Sequence, residues 1–196
     1  MLTPSTTSNC IWKHQSHQLK HYHDHEWGFA VKQCSKLFEK LCLECLQAGL
    51  SWRTILAKRT AIRLAFAHFD YHIVAQYDEN DVRRLCQNRD IIRNQIKIRA
   101  IIHNAAIAIN IAQEHTSFSD FIWQFQPMEE TQPQSAPPKE AKQMVKALKR
   151  LNWRFIGETS AYAFMQAAGL INDHDLDCPK RTVVDEYNHF RHRYSE

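Results

Sequence analysis

Glycine is scarce in this chain. Four occur in 196 residues: Gly28, Gly49, Gly157 and Gly169. Left-handed turns and close backbone approaches are therefore confined to few places. No convincing alternation of apolar and polar residues is present, which argues against half-buried strands. No apolar run approaches the ~20 residues of a bilayer span. The Ser/Thr-rich start, residues 1–9, has no apolar stretch of secretion-signal length. A cytoplasmic protein without membrane contact is expected. Charge of one sign is not in large excess either. The 25 basic and 21 acidic residues leave a net +4, a mild lean toward polyanions that many soluble proteins share. Six cysteines without a secretory context argue against a disulfide framework.

What is present is helical spacing. The length suits one domain that buries about two thirds of its unfolded surface. Residues 1–8 are expected as a flexible N-terminus. Residues 9–178 are expected as one helical domain, and 179–196 as a polar, His-rich, loose tail. Ser35 is predicted to cap a helix through Gln47, with Leu37, Phe38, Leu41, Cys42, Cys45 and Leu46 on or near one face and Gly49 ending it. Ser51 caps a second, running to about His68. Asp70 caps a short third. Residues 79–87 form a fourth. Residues 91–115 read as a long buried helix whose Arg93, Lys97 and Arg99 reach solvent at its start. Residues 117–125 read as a short helix or turn. Residues 126–138 hold four of the six prolines and read as a loop. A basic helix over 139–151, a tight hairpin and a helix over 159–168 ended by Gly169 follow.

Three constellations carry possible chemistry. The first is the helix, hairpin, helix of 139–169. Such a hairpin exposes free backbone N–H groups and a helix N-terminus, which bind phosphate without reading sequence. Lys146, Lys149, Arg150 and Arg154 add positive charge, and Gly157 permits close approach. The plainer reading is an ordinary helical hairpin with a solvated basic face. The second is a pair of thiols and a pair of imidazoles, Cys10 and His23 near one end, His174 and Cys178 near the other. This donor set suits four-coordinate structural zinc. With 12 histidines, however, chance pairs are easily found. The third is Glu44, a carboxylate between Leu43 and Cys45 in an apolar helix, with Tyr22, Trp27 and Trp52 in flanking aromatic segments. It can pair locally or reach solvent. It can also form one anionic wall of an aromatic slot suited to a flat cation.

Several stretches together resemble the 3-methyladenine DNA glycosylase I family across roughly residues 9–178. They are YHDHEWG at 22–28, KLFEKLCLE at 36–44, QAGLSW at 47–52, IIRN at 91–94 with KI at 97–98, FIG at 155–157, YAFMQA at 162–167 and NDH at 172–174. The resemblance implies an all-α helix-hairpin-helix DNA glycosylase fold. Its structural zinc would join the N- and C-terminal segments through Cys10, His23, His174 and Cys178. The resemblance further implies a base pocket of Tyr22, Trp52, Trp27 and Glu44, with Glu44 the catalytic candidate. DNA contacts fall to Lys149, Arg154, Phe155, Gly157 and Thr159. The implied reaction is hydrolysis of the N-glycosidic bond of 3-methyladenine after base flipping in double-stranded DNA. The protein would act as a monomer, release the free base and leave the strand intact. No lysine is placed in the matched segments for a Schiff base. Alternatives are a non-catalytic damaged-DNA binder of the same fold, or a glycosylase with a shifted alkylated-base range. Ile11, Leu19, Cys45, Leu46, Asp90 and Asn152 depart from the family pattern. The change at Cys45 and Leu46, beside Glu44, puts pocket shape most in doubt.

Overall fold

The computed structural model describes Cys10, residues 16–128 and residues 136–193, with side chains described as far as residue 189. The expected flexible start, Ile11 and residues 129–135 of the proline-rich loop lie outside the described residues. Those described form helices and turns, with no strand among them. The helices are α1 His17–His25, α2 Cys34–Gln47, α3 Trp52–Ala65, α4 Tyr71–Val74, α5 Glu79–Gln87, α6 Gln95–Glu114, α7 Phe118–Trp123, α8 Lys139–Arg150, α9 Glu158–Ala168 and α10 Pro179–Arg193.

The core is organised around α2. Every residue of it from Leu37 to Leu46 is buried, so it is covered all round rather than on the one face its apolar spacing suggested. Helices α3, α6, α7 and α9 pack against it. Three charged residues, Glu39, Lys40 and Glu44, are carried inward on this central helix. Glu39 finds partners at once. Arg59 Nε donates to it at 2.8 Å and Arg63 Nε at 2.7 Å, while Arg59 Nη1 reaches Glu26 at 2.5 Å.

Local signals place most boundaries. Ser51 Oγ accepts from the Thr54 N–H at the start of α3, and Asn94 Oδ1 accepts from Ile96 and Lys97 at the start of α6. Asp78 and Asp81 form a reciprocal capping box on α5. Several expectations are corrected. Helix α2 begins at Cys34 after Gln33, with no side-chain cap from Ser35. Helix α3 ends at Ala65, because Ala67, His68 and Phe69 all take positive φ. Helix α6 begins at Gln95, not 91, and Lys97 is buried rather than solvent-facing. Helix α1 was not anticipated. The segment after Cys178, expected to be loose, forms α10 through Arg193 and docks: Asn188 Nδ2 donates to the Gly28 carbonyl at 2.9 Å and its Oδ1 accepts from Ala30 N–H at 2.8 Å.

Gly169 shows why a scarce glycine sits where it does. It ends α9 at φ +75°, and a Cβ there would lie 2.4 Å from the Phe29 and Ala30 backbone. Gly169→Ala is expected to cost more than ~3 kcal/mol, lowering Tm by roughly 10 °C. Gly49→Ala, at φ +80° but in open space, should cost only about 1 kcal/mol. Thermal melts of the two variants check the contrast, and equal losses would refute it.

Candidate functional site

Helices α1, α2, α3 and α9 converge on a small cavity of about 80 Å³ lined by Tyr22, Trp27, Glu44, Gln47, Trp52, Ala163, Gln166 and Ala167. Tyr22 comes from α1, Glu44 from the last turns of α2, and Trp52 from the first residue of α3. The Tyr22 and Trp52 rings are 5.4 Å apart at 56°. Leu19, Tyr22, Trp27, Leu56 and Ala167 form an apolar cluster against which Trp52 packs. The four sequence-derived pocket residues thus surround one space.

Glu44 is the exceptional group in it. The residue is 7% exposed, and its carboxyl makes no hydrogen bond to any described residue. Burial pushes its pKa up to about 8, against an opposing pull from the Lys40 ammonium four residues earlier on α2. Lys40 is itself buried, 5.9 Å from the Tyr22 ring centroid, and burial lowers its pKa to about 8. The Trp52 indole Nε1 is also buried without a hydrogen-bond partner. One unpaired acid and one unpaired donor in a cavity wall are costly unless something occupies the space.

A larger cleft of about 350 Å³ lies between α1, α2, α3 and α10. Its carboxylates Glu26 and Glu39 are already paired with Arg59 and Arg63. The smaller cavity, with its unpaired carboxyl, is the better chemical candidate.

Cys45 and Leu46, the departures nearest Glu44, stand behind the cavity wall. Both are core residues, and neither lines it. Gln47 and Gln166 do line it and were not anticipated. Gln166 is fixed by donating to Asp173 at 2.6 Å, as is the Tyr162 hydroxyl. No local signal marks Gln166, because its partner Asp173 lies beyond the end of α9.

Helix α9 connects the cavity to the hairpin. The hairpin precedes its first turn, and Ala163, Gln166 and Ala167 lie farther along it. Lys149, Arg150, Arg154, Phe155 and Thr159 are exposed, and no ion pair engages Lys149, Arg150 or Arg154 among the described residues. Asn152 and Phe155 take left-handed backbone, φ +63° and +55°. Asn152 thus adopts a conformation that normally favours glycine, as asparagine can. Gly157 precedes α9 without a side-chain cap, and a Cβ there would meet nothing.

A third assembly brings Cys10 and α1 against the stretch that precedes α10. One donor atom each from Cys10, His23 and Cys178 lie within 4.8 Å of one another. His174 falls outside that cluster, but its ring centroid is 4.7 Å from that of His23. His174 is fully buried and its Nε2 has no hydrogen-bond partner. The Nδ1 atoms of both rings are occupied, His23 by Asp24 at 2.8 Å and His174 by Asn172 at 2.9 Å. Such contacts orient a ring and aim its other nitrogen. Burial and the neighbouring Cys178 push the Cys10 thiol up to about 12.

The methyladenine glycosylase family model matches residues 12–181. The DNA-3-methyladenine glycosylase of Haemophilus influenzae is 43% identical over 183 residues, covering 90% of this chain and 99% of its own. DNA-3-methyladenine glycosylase 1 of Escherichia coli K12 is 44% identical over 179 residues, covering 86% and 94%. Among solved structures, a crystal structure of 3-methyladenine DNA glycosylase I superposes with a TM-score of 0.81 at 42% identity, covering 87% of this chain and 97% of that one. The Staphylococcus aureus structure addressing 3-methyladenine recognition gives 0.83 at 33% identity, covering 88% and 95%.

Proposed function

Because the chain belongs to the methyladenine glycosylase family, we propose that it excises 3-methyladenine from alkylated double-stranded DNA by hydrolysing the N-glycosidic bond, as a cytoplasmic monomer. The observation that carries this reading is the buried, unpartnered Glu44 carboxyl in a cavity walled by Tyr22 and Trp52.

The damaged base must leave the stack to reach such a site. Exposed N–H groups at the start of α9, with Arg154, Lys149, the Thr159 hydroxyl and the open approach at Gly157, would hold phosphates, with Phe155 against the strand. In the cavity, Tyr22 and Trp52 offer their faces to the flipped cation, while Trp27 backs the slot. Glu44 supplies charge on demand. With its pKa at about 8, ionising it at pH 7 costs roughly 1 kcal/mol. A cation at ~4 Å returns about 4 kcal/mol at an effective dielectric near 20. Binding of a cationic purine therefore expels a proton, whereas a neutral adenine offers no such return. 3-Methyladenine is positively charged while attached to its sugar. It leaves readily, so water can attack the sugar without a strong general acid.

Release of free 3-methyladenine from methylated duplex DNA, followed by chromatography, tests the proposal. Base release with an intact strand is expected. DNA binding without release would favour a non-catalytic binder, and strand nicking would favour a lyase. Trp52→Ala should lower excision by roughly tenfold or more, the loss of about 1–2 kcal/mol of cation–π contact, with little change in Tm. A large loss of thermal stability would make Trp52 a core residue instead.

We also propose that Cys10, His23, His174 and Cys178 hold one structural zinc. Two thiols, two imidazoles with oriented Nδ1 atoms and the orphaned Nε2 of His174 support that donor set. Four protein ligands leave no open coordination position, so zinc here would supply stability rather than hydrolysis.

A further inference from the structure

The buried face of α6 is apolar except for two residues, Lys97 and Asn104. They are seven positions apart, which places them on one side of the helix, about 10.5 Å along its axis. Each grips the backbone of a different working loop.

Lys97 Nζ donates to the Leu46 carbonyl at 2.8 Å and to the Ala48 carbonyl at 2.5 Å. These are carbonyls at the C-terminal end of α2, where a cation satisfies both the hydrogen bonds and the helix dipole. The same stretch carries Glu44 and Gln47 and turns through Gly49 into Trp52. Asn104 is 1% exposed. Its Nδ2 donates to the Arg154 carbonyl at 3.0 Å, and its Oδ1 accepts from the Arg154 N–H at 2.8 Å. The neighbouring His103 Nε2 lies 3.0 Å from the Asn152 carbonyl. These contacts fall where the hairpin needs them. Phe155, next to Arg154, and Asn152 both hold left-handed backbone, a conformation costing roughly 1–2 kcal/mol for a residue with a side chain. Such geometry persists only where surrounding groups over-determine it.

We infer that Lys97 and Asn104 make α6 a strut that fixes the distance between the base cavity and the phosphate-gripping hairpin. Both are positioning residues. Neither lines the cavity, and Asn104 is buried on the inner face of α6. A flipped nucleotide must span a set distance from its held phosphates to the slot, so this spacing bears directly on excision. The inference rests on the reading of the hairpin as a DNA grip and of the cavity as a base site.

The test separates the two ends of the strut on the full chain. Asn104→Ala is expected to weaken binding of an undamaged duplex, read by fluorescence anisotropy, about tenfold. Its affinity for free 3-methyladenine, read by tryptophan quenching, should hold. Amide exchange at Arg154 should accelerate. Asn104→Asp keeps the acceptor for the Arg154 N–H and should fall between. Lys97→Met is expected to lower free-base affinity and the single-turnover excision rate about tenfold while duplex affinity holds, and Lys97→Arg should recover much of the loss. Parallel changes in duplex and base affinity, or none in either, would overturn the strut. A Lys149→Ala, Arg154→Ala double variant distinguishes the underlying reading. If its duplex affinity is unchanged, the hairpin is not the DNA grip and the strut falls with it. If its affinity drops while that of Asn104→Ala does not, only the strut is wrong.

Discussion

Glu44→Gln should excise 3-methyladenine from DNA roughly 100-fold less well, while making the protein more resistant to heat at alkaline pH. Glutamine keeps the shape and the hydrogen-bonding atoms but cannot ionise. It forfeits the difference between the ~4 kcal/mol gained by an ion pair and the roughly 1 kcal/mol spent on ionisation, about 2–3 kcal/mol. That difference is close to two powers of ten. Stability moves the other way. The folded pKa of Glu44 is raised, to about 8, so the fold favours the protonated form. Its contribution is full below the ordinary value near 4.5 and is lost as pH rises through about 8. The variant has no such loss, so its Tm should exceed the parent's by a margin that grows from pH 6 to pH 9. The Lys40 ammonium, with its own pKa lowered to about 8, loses its charge over the same range and stops compensating the carboxylate. Excision kinetics at saturating DNA and melts at several pH values read the two effects. Unchanged excision would remove Glu44 from its role. A Tm gap independent of pH would show that its carboxyl is not buried in the free protein.

Cys178→Ser, or a strong chelator, should lower Tm by roughly 10 °C or more, since metal-binding free energy at a structural site is folding free energy. The donors belong to the segment at Cys10, to α1 and to the stretch from His174 to Cys178, and His23 and Cys178 are 155 positions apart in sequence. Without a cation, Cys10 and Cys178 are adjacent buried thiols, and His174 retains an unpaired buried nitrogen. Elemental analysis should find one zinc per chain. Protein that carries none and melts unaltered after chelation would defeat the proposal. Because the metal would be remote in role from the cavity, excision per folded molecule at low temperature should change little in Cys178→Ser.

Much of the architecture was legible because its signals are local. Ser51 and Asp70 cap the helices that follow them, and Gly169 ends α9 at the position its spacing indicated. What escaped depends on contacts distant in sequence. Lys97 looked like a solvated helix-start lysine. Its burial follows from carbonyls about 50 residues earlier. Helix α1 is short and polar, so its periodicity is weak, and it is held by packing on α3. Helix α10 carries little apolar signal, yet Val184 is fully buried and Asn188 is anchored. At the site, Tyr22, Trp27, Glu44 and Trp52 could be singled out by residue type in an odd setting. Gln166 could not, because its place in the cavity wall depends on Asp173 across the turn after α9.

The anchoring of the Gly28 and Ala30 backbone by Asn188 bridges about 160 positions and has a consequence for biosynthesis. The ribosome makes this early segment, next to Trp27, long before α9 and α10 emerge to supply its partners. A nascent chain that already carries Tyr22, Glu44 and Trp52 therefore lacks one flank of its slot. Translation stalled between α9 and α10 would yield a polypeptide that carries the cavity residues but lacks the Asn188 anchor on Gly28 and Ala30.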